Sequence, residues 1–95
     1  MAKAEATTTE ALLIAKYGVI IPLEVLRLDF FSHLSSVEKL RRKIMAGEIP
    51  IPMVDMVPSS QKSAKGSPTS DFAVYLDTRI EAARKECRQL SGAAS

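Results

Sequence analysis

The sequence predicts a mainly α-helical chain with one small β element and a long helix at its end. Three observations lead there. Short apolar stretches, each opened by a hydroxyl–Glu pair or a proline, end at glycines or short polar turns between Thr7 and Gly47. The run Ile49–Val57 carries Pro50 and Pro52 two residues apart, which no helix tolerates. Phe72, Leu76, Ile80, Ala83, Cys87 and Leu90 then recur at spacings of three and four, making one helical stripe. With 95 residues, 46% apolar and 25% charged, usage is that of an ordinary globular chain. Collagenous, low-complexity and fully disordered classes are excluded. The length fits one domain. A chain this short buries only about 60–65% of its unfolded surface, so a deep cofactor pocket is not expected and a dimer would add stability.

Residues 1–6 read as a frayed tail, 7–90 as the single domain and 91–95 as a second tail. Thr7 and Glu10 have capping-box spacing before the apolar run Ala11–Ala15, and Gly18 can close that helix in the left-handed conformation. Val19-Ile20-Ile21 is β-branched and reads as a short extended piece. Pro22 fits the first position of a second helix, where its missing N–H costs nothing. Leu23, Leu26, Phe30 and Phe31 give that helix its apolar side. Ser35 and Glu38 form another capping box, opening a third helix from about Ser36 to Ala46 with Gly47 as its stop. The short link between helices two and three makes residues 22–46 a helix-turn-helix candidate.

From Ile51 onward the proline-flanked run reads as a strand. Pro58 to Pro68, rich in Ser, Lys and Gly, reads as an exposed loop or hairpin tip. Thr69 or Ser70 can cap the last helix, about 71–90. Its stripe continues to Leu90, beyond what a core of this size needs, which suits a homodimer interface or a dock for a partner protein. Cys87, on that stripe, reads as a buried small hydrophobe. His33 reads as a cap or as packing between helices, and Met53 and Met56 as core or interface.

The net charge is +2, and the sequence pI of about 8.9 falls short of the usual basic threshold of about 9 for nucleic-acid binders. The distribution is more informative. Residues 1–38 hold three basic and five acidic side chains, residues 39–66 six and two, and residues 67–95 four and four. The positive excess therefore lies in the middle third, in Lys39–Lys43 and Lys62–Lys65. From charge alone a solvated face is the commoner explanation. At 100° per residue, however, Val37, Leu40 and Ile44 share one side of helix three, while Ser35, Ser36, Lys39, Arg42 and Lys43 share the other and Arg41 flanks the apolar stripe. Glu38 can pair with Arg42 at i,i+4, which takes something from that face.

Arg can bind guanine edges bidentately, and Lys and Ser reach bases or phosphates. The expected base readers are Arg42, Lys43, Ser36 and Lys39. The expected phosphate ligands are Arg41, Ser35, Ser60, Gln61, Lys62 and Lys65, the last four in the loop after the strand. A mobile linker explains that loop equally well when it is taken alone. The order helix, helix, strand, loop, helix, with a basic helix before a basic loop, matches a winged helix-turn-helix-like (excisionase-type) domain: helix-turn-helix about 22–46, wing about 49–68, long C-terminal helix about 71–90.

The chain resembles the pyocin activator protein (PrtN) family of phage and prophage transcriptional activators, over roughly Thr9 to Glu86. The residues that carry the resemblance are Ala11-Leu12-Leu13 with Tyr17-Gly18, Ile21-Pro22-Leu23, Asp29-Phe30-Phe31 with His33-Leu34, Arg42-Lys43, Ala46-Gly47-Glu48-Ile49 and Pro52. They continue with Ser60-Gln61-Lys62, Ala64-Lys65-Gly66, Asp71, Ala73, Tyr75, Asp77 and Arg79. The resemblance implies a small cytoplasmic activator that binds DNA boxes upstream of phage-tail-like bacteriocin genes. The chain departs from the family pattern at Asp55, where a basic residue is usual, and at Ser67-Pro68, where Val/His-like residues are usual. Asp55 would repel phosphate if it faced DNA. Pro68 lacks a ladder donor, so the second wing strand is expected to be short or absent.

Other classes find less support. One His and one Cys make no metal cluster, so neither metal nor any other cofactor is expected, and no nucleophile constellation or phosphate-binding glycine motif is present. An enzyme is therefore the least favoured reading. Aromatics are too scattered for a single-strand stacking platform. No apolar run approaches the roughly 20 residues of a membrane span, and Met1–Thr9 lacks a signal-peptide shape. A lone cysteine suits a reducing cytoplasm. An excisionase-like DNA-bending protein, or a protein-only adaptor using its basic face and last helix, remain the alternatives.

Overall fold

The computed structural model describes residues 8–56 and 65–94. Its elements are α1 (Thr8–Tyr17), β1 (Ile20–Pro22), α2 (Leu23–Phe30), α3 (Val37–Met45), β2 (Val54–Asp55), β3 (Lys65–Pro68) and α4 (Thr69–Ala94). The chain is mainly helical, with a three-stranded antiparallel sheet of order β1-β3-β2 and a long final helix. Gly18 and Gly47 sit at φ of +86° and +81°, the left-handed region in which a Cβ clashes, and each follows a helix end as the sequence suggests. The tail 1–6 and Thr7, half of the first capping box, lie outside the described residues.

Four local expectations shift. Pro22 precedes α2 rather than opening it: at φ −59° and ψ 145° it ends β1, because its pairing with Gly66 holds it extended. The cap of α3 is Ser36, not Ser35; its Oγ accepts the Lys39 N–H at 3.2 Å. Glu38 is thus one residue out of register for a reciprocal capping box. Thr69 begins α4 two residues early, and its hydroxyl donates to the Gly18 carbonyl at 2.6 Å instead of accepting a helix N–H, while its own N–H reaches the Val19 carbonyl at 2.8 Å. This buried threonine ties the start of α4 to the turn after α1. Finally, α4 continues to Ala94, through residues expected to form a tail.

The sheet registers Ile21 on Ser67 and Pro22 on Gly66 across β1 and β3, and Val54 on Gly66 and Asp55 on Lys65 across β2 and β3. Gly66 occupies the middle of the central strand. A Cβ there would lie 2.6 Å from Ile20 Cγ2 and 2.7 Å from the Ile21 carbonyl oxygen, so the strands approach only because Gly has none. The second strand of the hairpin is present despite Pro68, which takes the last register position opposite Ile20. The first is the shorter: only Val54–Asp55 pairs, while Ile49 and Ile51 turn irregularly into the core.

That core gathers Ile21, Leu23, Leu26, Leu34, Leu40, Ile44, Ile49, Ile51 and Phe72. Phe72 meets Phe30 edge-on at 4.7 Å between ring centroids. Arg27 closes the turn between α2 and α3, donating to the Leu34 carbonyl at 3.0 Å and to Glu24 at 2.9 Å. Tyr17 donates to Asp29 at 2.7 Å, joining α1 to α2; burial and this bond raise its phenol pKa. Thr9 donates to Asp77 at 2.7 Å, joining α1 to α4.

Beyond Asp77 the core ends, and α4 projects with every described side chain from Thr78 to Gly92 exposed. Cys87 is therefore exposed rather than buried: among the described residues nothing covers the distal half of the helix. The radius of gyration, 15.7 Å, exceeds the roughly 12 Å of a compact chain this long.

Candidate nucleic-acid interface

Helix α3 buries Leu40 and Ile44 and half-buries Val37, which fixes the direction of its other side. Ser35, Glu38, Lys39, Arg42 and Met45 are exposed. Arg42 is the most open of the ion-paired cations here, with 74% of its side chain accessible, and among the described residues its side chain makes one contact, Nε to Glu38 Oε2 at 3.4 Å. The Lys39 ammonium has no partner among the described residues. Lys43 is 42% accessible and reaches Glu48 Oε1 at 2.9 Å, across the Gly47 turn. Leu34, Lys39, Arg42, Lys43, Ala46 and Glu48 line a shallow depression of about 320 Å³ on this side of the domain. Three of the four expected base readers thus share one rim. The fourth, Ser36, spends its oxygen on the α3 cap and is half-buried.

The expected phosphate ligands fare less evenly. Ser35 is exposed at the start of α3. Arg41 turns its guanidinium onto Glu38, through Nε at 3.0 Å and through Nη2, and onto Met45 Sδ at 3.0 Å. Lys65 is only 20% accessible and lies 3.5 Å from Asp55, its register partner across the hairpin. Asp55 therefore neutralises Lys65, a consequence of the departure noted in the sequence. Ser60, Gln61 and Lys62 lie outside the described residues.

Glu38 and Glu48 add two acids to this cationic face, and the sequence pattern shows them only in part. The i,i+4 spacing to Arg42 exposed half of Glu38's role; the i,i+3 spacing to Arg41 was the unused signal. The Arg41 hydrogen bond, then the charges of Arg41 and Arg42, hold the Glu38 carboxyl below the usual range, and Glu38 in turn raises Arg41. His33 is exposed beside the Phe31 ring, at 6.3 Å between centroids, rather than packed between helices. Among the described residues no group of three His, Cys, Asp or Glu gathers for a metal, and no helix is long and apolar enough to cross a membrane.

The family model described as Pyocin activator protein PrtN matches residues 9–83, from α1 through the base of the projecting α4. The chain belongs to the pyocin activator family. That membership makes it a regulatory protein of the activator kind. The match spans both strands of the hairpin and all of α3, so the cationic rim lies inside the family region. Comparison with curated proteins and with solved structures gave no match.

Proposed function

We propose that this pyocin activator family member is a sequence-specific, double-stranded DNA-binding transcriptional activator of phage or prophage genes of the bacteriocin kind. The observation that carries the reading is the exposed cationic rim of α3, where Lys39, Arg42 and Lys43 surround one depression while the opposite side of the helix is fixed in the core. A helix held this way enters a major groove as a rigid unit. Arg42 is the guanine reader, with Lys43, Lys39 and Ser36 beside it. Ser35, Ser60, Gln61 and Lys62 take phosphates, and Lys65, paired with Asp55, contributes less than its charge suggests. Arg41 is assigned to Glu38 rather than to phosphate.

The projecting half of α4 carries Ile80 and Leu90 as exposed apolar groups on one stripe. We assign it to assembly, with a second copy of the chain or with RNA polymerase. The reading is tested by a mobility shift of the full chain on duplex DNA over a salt series. Only the cationic phosphate contacts release counterions, Lys62 in full and Lys65 in part, so each bound chain should give log K a slope of about −1 to −2 against log salt. Binding that is absent at low salt, or a slope near zero, would leave a protein-only adaptor as the better account.

A further inference from the structure

One large apolar side chain stands on the cationic face of α3. Met45, the last residue of the helix, is 65% exposed. At about 100° per residue it lies about 140° around the helix from buried Leu40 and about 60° from Arg42, so it shares the outward side with the proposed guanine reader. A thioether left in water there gives the core nothing. Its sulfur is nevertheless held. Arg41 Nη1 donates to Met45 Sδ at 3.0 Å, and the same guanidinium is fixed on Glu38. Methionine has three rotatable side-chain bonds, and this contact restrains them before any ligand arrives. It engages the sulfur and leaves the terminal methyl group for apolar contact.

Resting on the DNA-binding reading above, we infer that Met45 is a further base reader, one that recognises the C5 methyl group of a thymine. Thymine is the base that presents an apolar group in the major groove. With nine residues, α3 is about 13 Å long and the groove is about 12 Å wide, so the last turn of the helix stays within reach of base edges. Met45 lies about 4.5 Å along α3 from Arg42, little more than the roughly 3.4 Å between base pairs. The thymine therefore falls within about two base pairs of the guanine that Arg42 reads. Contact takes the thymine methyl and the thioether out of water together, and no ion pair or hydrogen bond is broken to make it. Against cytosine the methyl partner is missing. Against adenine or guanine Met45 covers N7, an acceptor it cannot satisfy. Discrimination thus comes from a gain at the target and a penalty elsewhere.

The test uses the full chain, a duplex selected by the wild-type protein from a randomised pool, and a scrambled duplex of the same composition. Each thymine of the selected duplex is replaced in turn by deoxyuridine, which removes the methyl group and keeps every hydrogen-bonding atom. At one thymine the replacement should weaken wild-type binding about fourfold, the worth of one buried methyl group. Met45→Ala should bind the unmodified selected duplex weaker by about fourfold or more and the scrambled duplex as wild type does. It should show no response to deoxyuridine at that position. Met45 is exposed and outside the core, so the variant should fold as wild type does. A selected duplex with no methyl-sensitive thymine, or a sensitivity that Met45→Ala retains, overturns the inference while leaving DNA binding intact. A wild-type protein that binds no duplex, or selects none, overturns the underlying reading and this inference with it.

Discussion

Replacing Gly66 by Ala puts two opposing effects in competition. In a strand interior Ala is favoured over Gly by about 0.5–1 kcal/mol, because Gly loses more backbone freedom on folding. At this position the added methyl carbon would stand 2.6 Å from Ile20 Cγ2 and 2.7 Å from the Ile21 carbonyl oxygen. Ile20 can swing away at modest cost, but the second contact is backbone. Gly66 is registered on Pro22 and on Val54 at once, so relief requires β1 to part from β3. Overpacking of this kind costs about 1–3 kcal/mol, and a backbone contact belongs at the upper end. The net expectation is a loss of about 2 kcal/mol, or about 8–16 °C in Tm for a domain of this size. Thermal unfolding of the full chain followed by far-ultraviolet circular dichroism measures it. A Tm that is unchanged or raised would mean that strand propensity outweighs the close approach, and would refute the reasoning.

Ser67 Oγ is buried without a hydrogen-bond partner among the described residues, opposite Ile21, so Ser67→Ala should leave stability unchanged or raise it by about 1 kcal/mol, read as a urea midpoint; a clear loss would mean that the hydroxyl has a partner. The Glu38 carboxyl, lowered mainly by the Arg41 hydrogen bond, contributes to stability in full above the ordinary glutamate value of about 4.3 and loses that contribution as pH falls through its own lower value. The Tm gap between wild type and Glu38→Gln should therefore be widest at pH 6 and narrow progressively as pH falls below about 4.3; a gap that stays constant down the acid series would contradict the pairing. Lys62→Ala should weaken target and scrambled duplexes alike, as a phosphate contact does, and loss confined to one sequence would contradict that role.

What could be read from the sequence was what adjacent residues decide. Gly18 and Gly47 could be placed because a left-handed residue after a helix is a local demand. Leu40, Ile44 and Phe72 could be assigned to the core from spacing alone. The α3 cap was missed by one residue because Ser35 and Ser36 both qualify, and the Ser35–Glu38 spacing favoured the one that does not cap.

The larger misses depended on partners distant in sequence. The crowding at Gly66 comes from Ile20 and Ile21, more than forty residues earlier. The pairing of Lys65 with Asp55 follows from the hairpin register, so a cation that looked available is largely spent. Periodicity placed Cys87 on the α4 stripe correctly but gave no sign that the core ends near Leu76. The cationic character of α3 was visible in the sequence; the division of labour around Glu38 needed side-chain geometry.

The most direct measurement of the central claim is the affinity of Arg42→Ala, at one salt concentration, for a selected duplex, recovered by the wild-type protein from a randomised pool, and for a scrambled duplex of the same composition. Arg42 is exposed and outside the core, so the variant should fold as wild type does. If α3 reads bases through Arg42, the selected duplex loses about 1–3 kcal/mol, roughly 5- to 150-fold in Kd, while the scrambled duplex changes little. Unchanged binding to the selected duplex, or equal loss on both, would contradict base reading by this helix.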